Sequence, residues 1–142
     1  MHKIALLAAL GLLSACAQTS APSQPLQVAA TCAAPLKPAL EINLYFGRDR
    51  QGRSEVSEAE WATFLAQEVT PRFPDGLSVI NVAGQSRGAT GPIERERTKL
   101  LVVVVFDAPA HRAKVQEIVD AYDRRFSQRG VFRIEKAVCA GV

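Results

Sequence analysis

The run LLVVVVF at positions 100–106 constrains the fold more than any other feature of this chain. Its residues are apolar at odd and even positions alike, so it predicts a strand that is buried on both faces or lies in the centre of a sheet. The run EINLYF at 41–46 alternates instead and predicts a half-buried strand. Two further runs, LSVINV at 77–82 and VFRI at 131–134, predict the remaining strands.

Two amphipathic segments lie between these runs and predict helices. The first begins at a capping box of Ser57 and Glu60, and it ends at Pro71 because the residue before a proline avoids the helical region. The second begins at Pro109, which suits the first turn of a helix, and stops before Gly130. The expected core residues are Trp61, Phe64, Leu65 and Val69 in the first helix, and Val115, Ile118, Val119, Tyr122 and Phe126 in the second.

The order of these elements is β-α-β-β-α-β, which predicts a ferredoxin-like α+β fold. We expect one antiparallel four-stranded sheet in the order 4-1-3-2, with both helices on one face. The glycine-rich segment 84–92 is expected to be the turn between the second and third strands. It is not predicted to be a phosphate loop, because no GK[ST] motif follows it.

The N-terminal residues MHKIALLAALGLLSAC predict an export signal. Lys3 precedes an apolar run at 4–13 that is too short to span a bilayer as a helix. The run ends in LSAC, which resembles the lipobox of bacterial lipoproteins. This resemblance implies a signal peptide at 1–15 and a lipid-modified Cys16. The alternative is an ordinary signal peptide that is cleaved after Ala15 or Ala17.

The residues after Cys16 predict a flexible linker and a membrane location. Residues 17–31 are small and uncharged and include two prolines, a composition typical of flexible linkers. We therefore assign 16–38 to the lipidated cysteine and linker, and 39–142 to a single ferredoxin-like domain. Ala17 follows the lipobox cysteine, and by resemblance to the sorting rule of enteric bacteria this favours the outer over the inner membrane. The expected protein is exported, membrane-anchored and faces the periplasm.

The two other cysteines, Cys32 and Cys139, form an even pair in an oxidising compartment and predict a disulfide. The predicted topology supports this pairing independently. The first and last strands are antiparallel neighbours, so the start of one lies beside the end of the other. The alternative is two reduced thiols with a redox or metal-binding role, for which the chain has no CxxC motif.

The charge balance and the residue content argue against nucleic-acid binding, metal binding and catalysis by a serine nucleophile. The chain has 17 basic and 14 acidic residues, a balance that does not support nucleic-acid binding. Outside the signal peptide the only histidine is His111, which is expected on a polar helix face and suggests no metal site. No GxSxG motif is present, so we predict no catalytic residues of that kind and no cofactor.

Arginines gather at the predicted end of the domain opposite the cysteines. A guanidinium group binds carboxylate or phosphate through paired hydrogen bonds, so this end is a candidate anion-binding site. The alternative is a solvated rim of salt bridges. The candidate anion-binding residues are Arg48, Arg50, Arg87, Arg95 and Arg97.

The sheet face without helices is the second candidate surface. The third strand is apolar on both sides, so we expect a second copy of the chain, a protein partner or a short segment to cover this face, which includes Tyr45. The sequence therefore favours a non-catalytic envelope lipoprotein that binds a partner or an anionic ligand. The alternative is a small envelope enzyme with an arginine-lined pocket, in which Tyr45 or Glu96 transfers protons.

Four stretches of the chain are similar to an uncharacterised bacterial family, catalogued as a domain of unknown function numbered 3574. They are LYFGR at 44–48, VTPRFPDGL at 69–77, GQ at 84–85 and RERTK at 95–99. The resemblance implies an exported, signal-bearing precursor and does not imply an activity.

The lipid assignment predicts the outcome of a labelling experiment. Cells that express the wild-type chain with radiolabelled palmitate should label it, and Cys16→Ser should lose both the label and the membrane association. Cys32→Ser is the matched control and should keep them. A chain cleaved as an ordinary signal peptide would carry no label even with Cys16 present.

Overall fold

The computed structural model describes residues 31–50, 54–87, 90–107 and 109–142. The predicted signal peptide, Cys16 and most of the predicted linker lie outside these residues. The described elements, in chain order, are β1 (Lys37–Gly47), α1 (Glu58–Phe64), β2 (Ser78–Arg87), β3 (Ile93–Val105), α2 (His111–Phe126) and β4 (Phe132–Ala140). β1 thus begins inside the segment 16–38 that the sequence assigns to the linker. In the described part of the chain, neither helix has the length and hydrophobicity needed to cross a bilayer.

The four strands form one antiparallel sheet in the order β2-β3-β1-β4. This is the predicted order 4-1-3-2 read from the other edge, so the predicted α+β fold is confirmed. β1 pairs with β3 along one side and with β4 along the other. The apolar run of β3 lies inside the sheet, as its sequence requires.

The hydrophobic core lies between the sheet and the two helices. β1 contributes Ile42, Leu44 and Phe46, which are fully buried. The Phe46 ring lies edge-on to Tyr122 of α2, with 4.8 Å between the ring centroids, and 5.3 Å from Trp61 of α1. Edge-to-face contacts of this kind stabilise aromatic clusters beyond the area that they bury. The aromatic cluster therefore holds both helices on the same face of β1.

α1 begins where the sequence predicts but changes its winding before Pro71. The Ser57 side chain accepts a hydrogen bond from the Glu60 amide, and Glu60 bonds back to the Ser57 amide, so the capping box is confirmed. After Phe64 the chain forms a π-helical turn at Leu65–Val69. Leu65 and Val119, both expected in the core, are half-buried and pack against its edge.

Two local predictions are wrong. The expected turn at 84–92 is shorter, because β2 continues through Gly84 to Arg87 and pairs with the first residues of β3. The ladder hydrogen bonds of an antiparallel pair involve only the backbone, so they can continue through a glycine. His111 was expected on a polar face, but it is buried where the first turn of α2 lies against Glu135 of β4.

The pairing of β1 with β4 brings the two distant cysteines together. Pro38 lies opposite Cys139, and Cys32 precedes β1 by a few residues. The structure joins Cys32 and Cys139 in a disulfide, with 5.6 Å between their Cα atoms. The bond closes a loop across the whole described domain.

Removal of this disulfide should destabilise the domain. The two cysteines are 107 residues apart, and chain-entropy arguments assign about 4–5 kcal/mol of unfolding free energy to a loop of that length. Cys32→Ser/Cys139→Ser should therefore unfold at a lower urea concentration than the wild type, as measured by circular dichroism.

A reductant should lower the wild-type midpoint toward that of the double variant and leave the variant unchanged. The control Cys16→Ser should respond to the reductant as the wild type does. A wild-type midpoint that does not move on reduction would contradict the pairing.

Candidate functional site

Five charged side chains form a connected cluster where β1 ends, which we call the distal ion network. They come from the residue after β1, from the segment that leads into α1 together with the first residue of that helix, and from β3. The members are Arg48, Glu55, Glu58, Arg97 and Lys99.

Arg48 is the buried centre of this network. Its amide donates to the Arg97 carbonyl, and its carbonyl accepts from the Val56 amide at 2.8 Å. Its Nε donates to the Val56 carbonyl at 2.6 Å, while Nη1 and Nη2 contact Glu58 and Glu55 at 2.6 and 3.4 Å. A buried cation is tolerated only when anions and hydrogen-bond acceptors surround it. The two carboxylates and the carbonyl meet that requirement.

Lys99 is the second buried cation, and it lies on the helix side of the sheet opposite Phe46. Its ammonium donates to Asn81 Oδ1 and to Glu58 Oε2, both at 2.6 Å. The Lys99 hydrogen bond is the main cause that lowers the pKa of Glu58, and Arg48 adds to the effect. Glu58 is therefore ionised and bridges two buried cations, although 67% of its own side chain is exposed.

The five candidate anion-binding arginines lie near the same end of the sheet, but they differ in their partners. Arg48 and Arg97 belong to the distal ion network, where Arg97 binds Glu55 through both Nε and Nη2. Arg50 pairs with Glu60 at 2.7 Å and stacks on a ring of α2. Arg87 and Arg95 are exposed on the β2–β3 hairpin.

Sequence reasoning missed Lys99 and Glu58, which complete the network. The only sequence signal was their polar character beside an apolar run and at a helix start. Their meeting depends on the strand register, which places Lys99 opposite Asn81 and Phe46. Register follows from pairing over the whole sheet and is not visible in one strand.

The sheet face that carries neither α1 nor α2 is the second surface, which we call the open face. Phe132 and Ile80 are exposed there to 67% and 48%. The Phe132 ring lies 5.7 Å from that of Tyr45, which pairs with it across β1 and β4. Leu100 lies half-buried between Tyr45 and Ile80, and Val102 lies half-buried one row further along the same face. Exposed aromatic and branched side chains on one flat face are typical of interaction surfaces.

A groove of about 630 Å³ crosses the distal part of the open face. Tyr45 and Phe132 line it together with Glu96, whose Oε1 accepts a hydrogen bond from the Asp49 amide at 3.1 Å. The Glu96 carboxylate lies directly over Gly47, where a Cβ atom would collide with it. Tyr45 and Glu96, the two predicted proton-transfer residues, thus line the same groove. None of the described residues that line it is an arginine.

Metal ligation finds no support in the described part of the chain. Among those residues, no group of three or more His, Cys, Asp or Glu side chains could hold a metal ion. The buried His111 instead faces Glu135, with 3.5 Å between its Nε2 and the carboxylate.

The sequence from residue 41 to residue 141 matches the family described as "Protein of unknown function (DUF3574)". This match covers most of the chain. The chain belongs to the DUF3574 family. No curated protein matches its sequence.

Solved structures share the fold at low identity. A phage SAM lyase in complex with S-methyl-5'-thioadenosine superposes with a TM-score of 0.56 and 10% identity, covering 73% of this chain and 90% of the lyase. The lyase in its apo state gives a TM-score of 0.54 at 12% identity, covering 70% and 81%. CutA1 from Oryza sativa gives 0.50 at 6% identity, covering 75% and 85%. Identities this low establish similarity of fold alone.

The contacts of Glu60 predict a pH-dependent contribution to stability. Its hydrogen bond with Arg50 and then those with Ser57 lower its pKa from 4.5 to about 2. A carboxylate with a lowered folded-state pKa stabilises the fold above pH 4.5, and this contribution is lost as the pH falls toward 2. The difference in unfolding free energy between wild type and Glu60→Gln should therefore be largest near neutral pH and shrink below pH 4.5.

Urea unfolding at a series of pH values measures this difference. Arg50→Met, which removes the main cause of the pKa shift but leaves Ser57, should weaken the pH dependence without abolishing it. Parallel profiles for wild type and Glu60→Gln between neutral pH and pH 2 would contradict the assignment.

Proposed function

We propose that this DUF3574 chain is an exported envelope lipoprotein with a non-catalytic binding domain, tethered through Cys16 and facing the periplasm. Its binding surface is the open face, and its partner there is a second copy of the chain. The observation that supports this proposal is the row of exposed apolar and aromatic side chains on the open face. The outer membrane is the favoured location, because Ala17 follows the lipobox cysteine.

Burial of this row is the driving force for association. Removing apolar surface from water contributes about 25 cal/mol per Å², and Phe132 and Ile80 remain largely exposed in the single chain. A second sheet can pack on the first about 10 Å away, with the strands of the two sheets about 30° apart. α1 and α2 lie on the other face and leave this approach unobstructed.

The charge pattern of the open face favours a second copy over an unrelated partner. Side chains alternate along a strand, so Glu94 and Glu96 of β3 lie at the distal end of this face, while Lys37 and Lys136 lie toward its other end. Glu41 accepts one hydrogen bond from Lys136 at 2.9 Å. A twofold axis that runs across the strands would bring the acidic end of one copy to the basic end of the other. The apolar rows would then face each other in the middle.

The alternative function, a small envelope enzyme, is supported by one observation. Tyr45 and Glu96 line a single groove that is large enough for a small ligand. The groove lacks the expected arginine lining among the described residues, which favours the binding module. If the groove turns over a substrate, Tyr45→Phe should abolish that activity.

A matched pair of substitutions tests the second-copy proposal. Ile80 on the open face and Ile93 on the opposite face are exposed to 48% and 46%, and both lie on the β2–β3 hairpin. In the full chain carrying Cys16→Ser, which cannot be lipidated, sedimentation equilibrium should show a concentration-dependent dimer. Ile80→Glu should weaken it by about tenfold or more, which corresponds to about 1.4 kcal/mol of association free energy. Ile93→Glu should leave it unchanged.

Two outcomes would contradict the proposal. One is a monomer at all concentrations up to the millimolar range. The other is an equal effect of Ile80→Glu and Ile93→Glu, since that would place the contact elsewhere.

A further inference from the structure

The distal ion network combines two buried cations with a carboxylate that contacts them from the solvent-exposed side. The side chains of Arg48 and Lys99 are 5% and 4% exposed, whereas that of Glu58 is 67% exposed. Glu58 Oε1 lies 2.6 Å from Arg48 Nη1, and its Oε2 lies 2.6 Å from Lys99 Nζ. One carboxylate therefore spans both cations with one oxygen on each.

The net charge of the network is positive and favours the binding of an anion. Arg48, Arg97 and Lys99 supply three positive charges, while Glu55 and Glu58 supply two negative charges. If Glu58 swung into solvent, Lys99 would keep the Asn81 amide oxygen, and Arg48 would keep a carbonyl and the longer contact with Glu55. Both cations would then lack a close anion in a poorly hydrated place, which is energetically costly.

Space for a ligand exists beside Glu58. A cleft of about 320 Å³ is lined by Arg48, Asn81, Ala83, Arg97 and Thr98 as well as by Glu58. The Glu58 side chain is itself exposed and has room to move into solvent, and an incoming carboxylate that takes its place restores an anion to both buried cations. An incoming carboxylate would gain the same two charge-assisted hydrogen bonds.

We infer that this cleft is a binding site for a carboxylate, and that Glu58 occupies it as a tethered substitute when no ligand is bound. Arg48 and Lys99 hold the two carboxylate oxygens, and Arg97 lies at the entrance. This site is independent of the open face and does not depend on the proposed self-association. The carboxylate belongs either to a free small acid or to an acidic side chain of another protein.

Removal of the tethered carboxylate tests the inference. The full chain with Cys16→Ser is compared with the same chain carrying Glu58→Ala, and melting temperatures are measured at constant ionic strength as sodium chloride is replaced by sodium acetate. Glu58→Ala should melt at a lower temperature than its parent in chloride. Acetate should then raise its melting temperature saturably, because a ligand that binds only the folded state stabilises it.

We expect acetate to bind Glu58→Ala about tenfold more tightly than the parent, an amount comparable to one charge-assisted contact. Lys99→Met in the Glu58→Ala chain should abolish the response. A triglutamate peptide, titrated in parallel, represents the acidic protein segment. Tighter binding of the peptide than of acetate would identify a protein source, and tighter binding of acetate would identify a free acid.

Glu117→Ala is the matched control, because Glu117 is also an exposed carboxylate, with 61% of its side chain accessible, and pairs with Arg72. It should respond to acetate as the parent does. The inference would be overturned if Glu58→Ala and Glu117→Ala responded alike to the replacement of chloride by acetate. If Glu58→Ala does not fold, Glu58→Gln is titrated in its place. An acetate affinity of Glu58→Gln equal to that of the parent would then overturn the inference.

Discussion

The pairing of β1 with both β3 and β4 is the constraint on which the other features of this structure depend. One register places Phe46 opposite Lys99, and the other places Tyr45 opposite Phe132. The same pairing brings Pro38 beside Cys139 and so closes the disulfide. A shift by one residue would exchange the two faces of β1, because successive side chains point to opposite sides of a sheet. The core, the open face and the distal ion network would all be lost together.

The hydrophobic core changes to a charged cluster within one residue pair. On the helix side of the sheet, Phe46 ends the apolar row of β1, and its partner Lys99 already belongs to the ion network. A buried ion pair contributes little to stability beyond what an apolar pair of the same volume would contribute. The gain in stability from such pairs does not by itself account for the cluster, and the carboxylate site inferred above offers an explanation that can be tested. Glu58, which bridges the buried cations from the solvent side, is the residue whose substitution provides that test.

The fold was largely predictable because its signals are local. The alternation around Leu44, the capping box at Ser57 and the apolar stripe that includes Tyr122 each specify one element and the face that it buries. The order of those elements then limits the topology to few choices. Predictions that depended on contacts between elements were less accurate. His111 is buried where it faces Glu135 of β4, and β2 extends to Arg87 because β3 offers a partner for its backbone.

The sequence by itself determined the α+β class, the order of the strands, the membership of the DUF3574 family and the positions of the two pairing cysteines. The fold class and the strand order follow from periodicity, capping and the order of the elements, and the family follows from the sequence match over residues 41–141. Only the tertiary structure decided which arginines form ion pairs within the chain. It also decided that Lys99 contacts Glu58 and that Tyr45 and Glu96 line the same groove. Such contacts depend on register and on the packing of elements that are distant along the chain, and no local pattern of residues encodes them.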